Sequence, residues 1–136
     1  MRSVLIVSPH APSRELLVRI LAEPGVRLHA TGDVDDAFDT ITHHPPALVV
    51  VDLRRPDEDP PLFLALLRKR HPALPVIALV PGRMRVFDGA TERVHDVQRA
   101  DPTEGLRVTI ELLREAIHDV FSTAVLRVLR PPVGLA

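Results

Sequence analysis

The sequence predicts an α/β protein built in three layers, a parallel sheet with helices on both of its faces. Three observations carry this. The strand-like segments Val4 to Val7, Ala47 to Val51 and Val76 to Val80 are continuously apolar, as in strands buried on both sides. Segments with apolar residues at helical spacing lie between them, so strand and helix alternate. The 14 prolines, about twice the average share, fall mainly between these segments, where neither helix interiors nor central strands are interrupted.

Each element has its own warrant. Val4 to Val7 is the first strand. Leu16, Leu17, Ile20 and Leu21 then recur at helical spacing, and Pro24-Gly25 ends that helix. Val26, Leu28 and Ala30 alternate with Arg27, His29 and Thr31, the pattern of a half-buried strand. Asp33 is placed to cap a helix that buries Val34, Ala37, Phe38 and Ile41. Ala47 to Val51 is a second apolar strand, ending at Asp52. Leu62, Phe63, Leu66 and Leu67 form a third helical stripe, and Val76 to Val80 is a third buried strand. The stretch 82–101 admits two readings. Arg83 to Ala90 is a short, irregular fourth helix, or Asp88-Gly89 turns a hairpin between Val86-Phe87 and Val94. A fifth strand is expected over Val94 to Gln98. Asp101-Pro102-Thr103-Glu104 then combines an N-cap, a proline at the first helical position and a box-like glutamate. The helix they start is expected to run to about Arg130, where Pro131-Pro132 stops it.

The length of 136 residues suits one compact domain, and no linker or repeat divides it, so residues 1–136 are read as a single unit. Hydrophobic residues at 46% and charged residues at 26% exclude a disordered tail. The longest uncharged apolar run, Ala73 to Pro81, is too short for a bilayer, and the opening strand is too short for a secretory segment, so a cytoplasmic location is expected. The absence of cysteine excludes disulfides, thiol catalysis and thiolate metal sites. A net charge of −1 gives no drive toward nucleic acid or an anionic membrane, and neither is expected as a partner.

Several stretches resemble the receiver domain of bacterial response regulators. Val4-Leu5-Ile6-Val7, followed by Ser8-Pro9-His10 and Arg14-Glu15-Leu16-Leu17, is similar to that family's opening strand, turn and first helix. Pro45-Pro46-Ala47-Leu48-Val49-Val50-Val51-Asp52-Leu53-Arg54-Arg55-Pro56 resembles the stretch that carries the phosphoacceptor aspartate. His71-Pro72-Ala73-Leu74-Pro75-Val76-Ile77-Ala78-Leu79 resembles the run into the fourth strand. The resemblance covers roughly residues 3 to 120. It implies a flavodoxin-like (βα)5 sandwich with parallel strand order 2-1-3-4-5 and a site at the carboxyl ends of the strands.

The resemblance also implies a chemistry, and this sequence departs from it. A carboxylate accepts a phosphoryl group poorly without a divalent cation to offset the gathering negative charge. In the family, two acidic residues after the first strand hold Mg²⁺ beside the acceptor. Here those positions match Ser8 and Pro9, neither of which supplies an anionic oxygen. The hydroxyl residue expected at the end of the fourth strand matches Val80. The lysine expected after the fifth strand falls at Gln98 or Arg99, and the sole lysine of the chain is Lys69. The aromatic switch residue of the fifth strand has no counterpart, because there is no Tyr or Trp and Phe87 lies too early. Asp52 alone of the set is present. It is expected to accept hydrogen bonds from Ser8 or backbone N–H groups, or to pair with Arg54, Arg55 or Arg99.

The resulting expectation is a pseudo-receiver, a non-enzymatic module with no cofactor that signals through protein contact. The alternative is a working phosphoacceptor of a two-component phosphorelay, phosphorylated on Asp52 with Mg²⁺, and with Asp57, Glu58 and Asp59 as stand-in ligands. A small-molecule binder at the strand ends is disfavoured by the lack of glycines in the first turn. Seven histidines show no H-x3-H spacing, and the adjacent pair His43-His44 points two ways, so structural zinc is not expected.

The last helix points to the partner. From Thr103 to Arg130 it would measure about 42 Å, against roughly 35 Å for a domain of this size. Residues 120–130 are therefore read as an extension beyond the core. Leu106, Ile110, Leu113, Ile117, Val120, Ala124 and Val128 form one stripe for the sheet, while beyond Asp119 the apolar residues point almost all round, and Val120, Phe121, Val125, Leu126 and Leu129 are assigned to a contact with another signalling protein or, most simply, with a second copy.

Overall fold

The computed structural model describes residues 2–54, 60–89, 91–96 and 102–129. The elements follow in the order β1 (Arg2–Val7), α1 (Ala11–Leu21), β2 (Val26–Thr31), α2 (Val34–His43), β3 (Leu48–Asp52), α3 (Pro60–Arg70), β4 (Val76–Val80), β5 (Arg83–Asp88), β6 (Thr91–Asp96) and α4 (Pro102–Leu129). They form one sheet of order β2-β1-β3-β4-β5-β6. The first four strands in that order are mutually parallel, and β5 and β6 are antiparallel to their neighbours.

The strand period of two sorts side chains onto two faces. Val4, Ile6, Leu48, Val50, Ile77, Leu79, Met84 and Val86 pack with Leu17 and Leu21 of α1 and with Leu113, Ala116, Ile117, Val120 and Phe121 of α4. Leu5, Val7, Val49, Val51, Val76, Ala78 and Phe87 pack with Ala37 and Ile41 of α2 and Phe63, Leu64 and Leu67 of α3. The α/β class and the parallel order 2-1-3-4 are as expected. Asp33 caps α2 as expected, its side chain accepting from the Asp35 N–H at 2.9 Å. The helical stripes are narrower than expected: Leu16, Val34 and Leu62 are exposed, and Leu64 takes an inward place on α3.

Two corrections follow from the geometry. The fifth strand is not parallel, and no helix precedes it. Val80 pairs with Arg83 across Pro81-Gly82, and a crossover to a parallel strand needs a dozen residues or more. Proline sets φ for the first turn position, and Gly82 takes the positive φ of 70° at the second. Of the two readings of 82–101 the hairpin is therefore the right one. It closes at Asp88↔Thr91, with Gly89 at φ 65°. Thus β6 ends at Asp96, and Gln98 and Arg99 lie outside the described residues.

The second correction concerns α4. Val120, expected both in the sheet stripe and at a partner contact, and Phe121, expected at the contact, are 1% and 4% exposed and lie in the core. The Arg2 guanidinium covers the Phe121 ring at 4.9 Å, sealing it at the start of β1. The helix runs through Leu129, so any overhang begins after Phe121. Val125, Leu126 and Leu129 are on this last stretch of backbone, and their side chains lie outside the described residues.

Candidate functional site

Parallel pairing of Val7 with Val51 brings the carboxyl ends of β1 and β3 side by side. The next residue on each chain is Ser8 and Asp52, and both are buried, at 0% and 6% exposure. The Ser8 hydroxyl donates to Asp52 Oδ2 at 3.1 Å. The chain then turns, and Arg54 folds back onto the same carboxylate. Its Nε donates to Oδ1 at 2.8 Å, its Nη2 to Oδ2 at 3.0 Å and its backbone N–H to Oδ1 at 3.2 Å. An ionised carboxylate offers about four lone-pair positions. All four are filled by donors from this chain.

Burial alone pushes the Asp52 carboxyl upward. The Arg54 hydrogen bonds and charge, its backbone N–H and the Ser8 hydroxyl together outweigh that and hold the pKa below the usual carboxylate value. The same hydrogen bond to Asp52 raises the Arg54 guanidinium against the opposing effect of its own burial. Asp52 is thus a committed anion with a fixed cation in contact.

Ser8 is held from its backbone as well. Its N–H donates to the Thr31 carbonyl at 3.0 Å, and Arg14 Nη1 donates to its carbonyl oxygen at 2.8 Å. Arg14 reaches it by passing over Gly32, where an added Cβ would lie 2.5 Å from Nη1 and 3.3 Å from the Ser8 carbonyl oxygen. Sequence reasoning missed Arg14 and Gly32 as parts of this site. A glycine directly after the second strand was the available signal.

The structure brings together only part of the expected set. Ser8, Asp52 and Arg54 meet. Pro9 is exposed and has no polar side-chain atom, and Val80 is a half-buried aliphatic residue at the end of β4. Gln98, Arg99, Arg55, Asp57, Glu58 and Asp59 lie outside the described residues. His10 caps α1, its Nδ1 accepting from the Ser13 N–H at 3.3 Å.

The chain matches the response regulator receiver domain family over residues 4–90, well over half of its length. The chain belongs to that family. The match ends at the β5–β6 turn, so it takes in the antiparallel β5 and leaves out β6. Comparison with curated proteins gave no match. Among solved structures, the receiver domain of nitrogen regulatory protein C in its apo form is similar at 27% identity and a TM-score of 0.50, covering 57% of this chain and 62% of that one. A structure of the histidine kinase ThkA in complex with the response regulator TrrA is similar at 23% identity and a TM-score of 0.52, over 60% of this chain and 71% of that one. NtrX from Brucella abortus aligns with 100% of this chain but 31% of its own, at 20% identity and a TM-score of 0.60. This receiver therefore spans under two thirds of the nitrogen regulatory receiver it resembles.

Membership implies a divalent cation beside Asp52, and the described donors do not suit one. Mg²⁺ demands several hard oxygen ligands in octahedral array. Here one carboxylate has its lone pairs already engaged, one neutral hydroxyl is spent on that carboxylate, and the third position is proline. Among the described residues no three His, Cys, Asp or Glu side chains cluster to hold a metal, and no helix is long and apolar enough to cross a membrane.

Proposed function

We propose that this receiver is a cytoplasmic, non-enzymatic signalling module that works by protein contact, without Mg²⁺ and without phosphorylation of Asp52. The single observation that supports this reading is the saturated carboxylate. A phosphoacceptor needs a free oxygen lone pair to attack phosphorus and a cation that can also bind the incoming phosphoryl oxygens. Arg54 supplies the positive charge, but its bidentate grip occupies the oxygens that would react. The aliphatic end of β4 at Val80 offers the phosphoryl group no hydroxyl.

The contact surface in this reading is the extension of α4 beyond Phe121, where Ala124, Val125, Leu126, Val128 and Leu129 dominate the sequence. Its partner is a second copy. The β5–β6 hairpin adds a further surface where the family fold would place a helix, since β6 is an exposed outer strand with Val94 at 52% exposure.

The deciding experiment is amide NMR of the full chain with Mg²⁺ and beryllofluoride, and intact mass after incubation with a small phosphodonor. The expected result is an unchanged spectrum around Asp52 and an unchanged mass. Shifts centred on Asp52, or a gain of one phosphoryl group at that residue, would return the chain to the working phosphoacceptors.

A further inference from the structure

A second cleft lies at the opposite, amino-terminal end of the sheet, away from Asp52. Parallel register sets Arg27 beside Ser3 and His29 beside Leu5. Leu28 and Ala30 turn toward the α1 and α4 layer, which leaves Arg27 and His29 on the face that carries α2. The last turn of α2 approaches the same place with Thr40 and His43, followed by His44 and then Pro45-Pro46. Between strand and helix is an open cleft of about 580 Å³.

The side chains that line that cleft are basic or neutral. Arg27, His29, His43 and His44 converge on it with the hydroxyls of Ser3 and Thr40, and none of its lining residues is acidic. His29 lies 3.5 Å from Asp36, with both side chains about half exposed. His43 Nδ1 meets the Asp39 carbonyl oxygen at 2.9 Å, which directs its other ring nitrogen away from the helix. Arg27 makes no ion pair with the described residues. The negative end of the α2 dipole accounts for histidines at its last turn. It does not account for Arg27 and His29, which arrive from a neighbouring strand.

We propose that this cleft binds a small molecule carrying a phosphate group, of the size and character of a nucleoside monophosphate. A guanidinium recognises phosphate oxygens, here Arg27 in a bidentate mode, and the His44 imidazole and the hydroxyls of Ser3 and Thr40 supply further donors. The volume falls in the range of small-molecule sites, roughly 300–1,000 Å³. Pro45, Pro46 and the Leu5 side chain supply an apolar wall for the uncharged body of the ligand. The site is independent of the chemistry at Asp52, and neither reading depends on the other.

The test is amide NMR of the full chain titrated with adenosine monophosphate, inorganic phosphate and adenosine. Adenosine monophosphate is expected to move Arg27, His29, Thr40, His43 and His44. Phosphate is expected to move the same residues more weakly, and adenosine to leave them in place. Arg27 and His44 are exposed, so Arg27→Gln and His44→Gln are expected to fold and to weaken binding about tenfold each. Three results overturn the proposal: no shifts at about 10 mM nucleotide, shifts spread over unrelated surface charges, or unchanged affinity in Arg27→Gln.

Discussion

Arg54 grips both oxygens of Asp52, at 2.8 Å and 3.0 Å, from a position only two residues further along the chain. So short a separation makes the pair cheap in chain entropy, because closing a small loop fixes few residues. It also ties the charge balance of the site to the backbone turn after β3 rather than to a diffusible ion. Asp52 is 6% exposed while the Arg54 side chain is 34% exposed, so the anion is buried and its partner reaches the rim.

Removing the guanidinium while keeping its apolar stem isolates that relationship. Among the described residues, Arg54→Met leaves Asp52 with the Ser8 hydroxyl as its one remaining side-chain donor. Stability is expected to fall by about 1–3 kcal/mol, below the cost of breaking a fully buried pair because solvent reaches the Arg54 end. Urea unfolding gives this loss. Asp52→Asn in the same background is expected to recover part of it, since a neutral amide no longer needs the cation. A double-mutant cycle without coupling would show that the pair is incidental.

Phe121 separates two roles for the last helix. Its ring is 4% exposed, packed in the α1 and α4 layer under Arg2. Phe121→Ala is expected to cost about 3–5 kcal/mol in chemical denaturation, the usual penalty for emptying a buried aromatic position. Its mass by light scattering, measured where the variant is folded, is expected to match that of the unsubstituted chain. A variant of normal stability that fails to self-associate would place Phe121 at an interface instead.

The fold was legible wherever a segment's apolar pattern had one solution. Val4 to Val7, Val49 to Val51 and Val76 to Ala78 are apolar at every position, and only burial on both faces accommodates that. Val86-Phe87 fits a helix turn or a strand equally well over so short a run. There the two-residue separation of Val80 and Arg83 decided, and separation in space is not written in composition. In sequence Val120 fits both the sheet stripe and the partner contact, and Phe121 only the contact, because a helix apolar all round reads as excess surface. Leu113, Ala116, Ile117, Val120 and Phe121 instead form one stripe at three- and four-residue spacing, facing the sheet. At the site, Ser8 and Asp52 followed from strand alignment. The choice of Arg54 among three candidate arginines depended on the turn after β3, and the Arg14 bond to Ser8 depended on a missing side chain at Gly32.

The overhang of α4 makes a prediction of its own. Five of the last six helical residues, 124–129, are apolar, all but Arg127. Leu126→Glu combined with Leu129→Glu is expected to leave the fold intact, because both positions follow Phe121, the last core residue among the described residues. The unsubstituted chain is expected to scatter light as a dimer, at twice 15.0 kDa, and the variant as a monomer of 15.0 kDa. A monomer in both cases removes the second copy as the partner.

The pH dependence of stability follows from the sign of the Asp52 shift. Its pKa is held down in the folded state, so the stabilisation is fully present above the ordinary carboxylate value of about 3.9. It is lost as pH falls below that value and through the folded pKa, where the native state must take up the proton. In Arg54→Met the guanidinium's hydrogen bonds and charge are gone, and the folded pKa is expected to rise past the ordinary value, since burial is the largest single influence on this carboxyl. Its contribution then reverses: stability decreases as pH rises through the interval between the unfolded and folded pKa values. The difference in unfolding free energy between the two proteins is therefore expected to be smallest at the acid end and to widen toward neutrality, by about 1.4 kcal/mol for each pKa unit that separates their folded states. Urea titrations at several pH values measure that difference with the other carboxylates cancelling. A gap that is constant with pH would mean that Arg54 acts through packing alone.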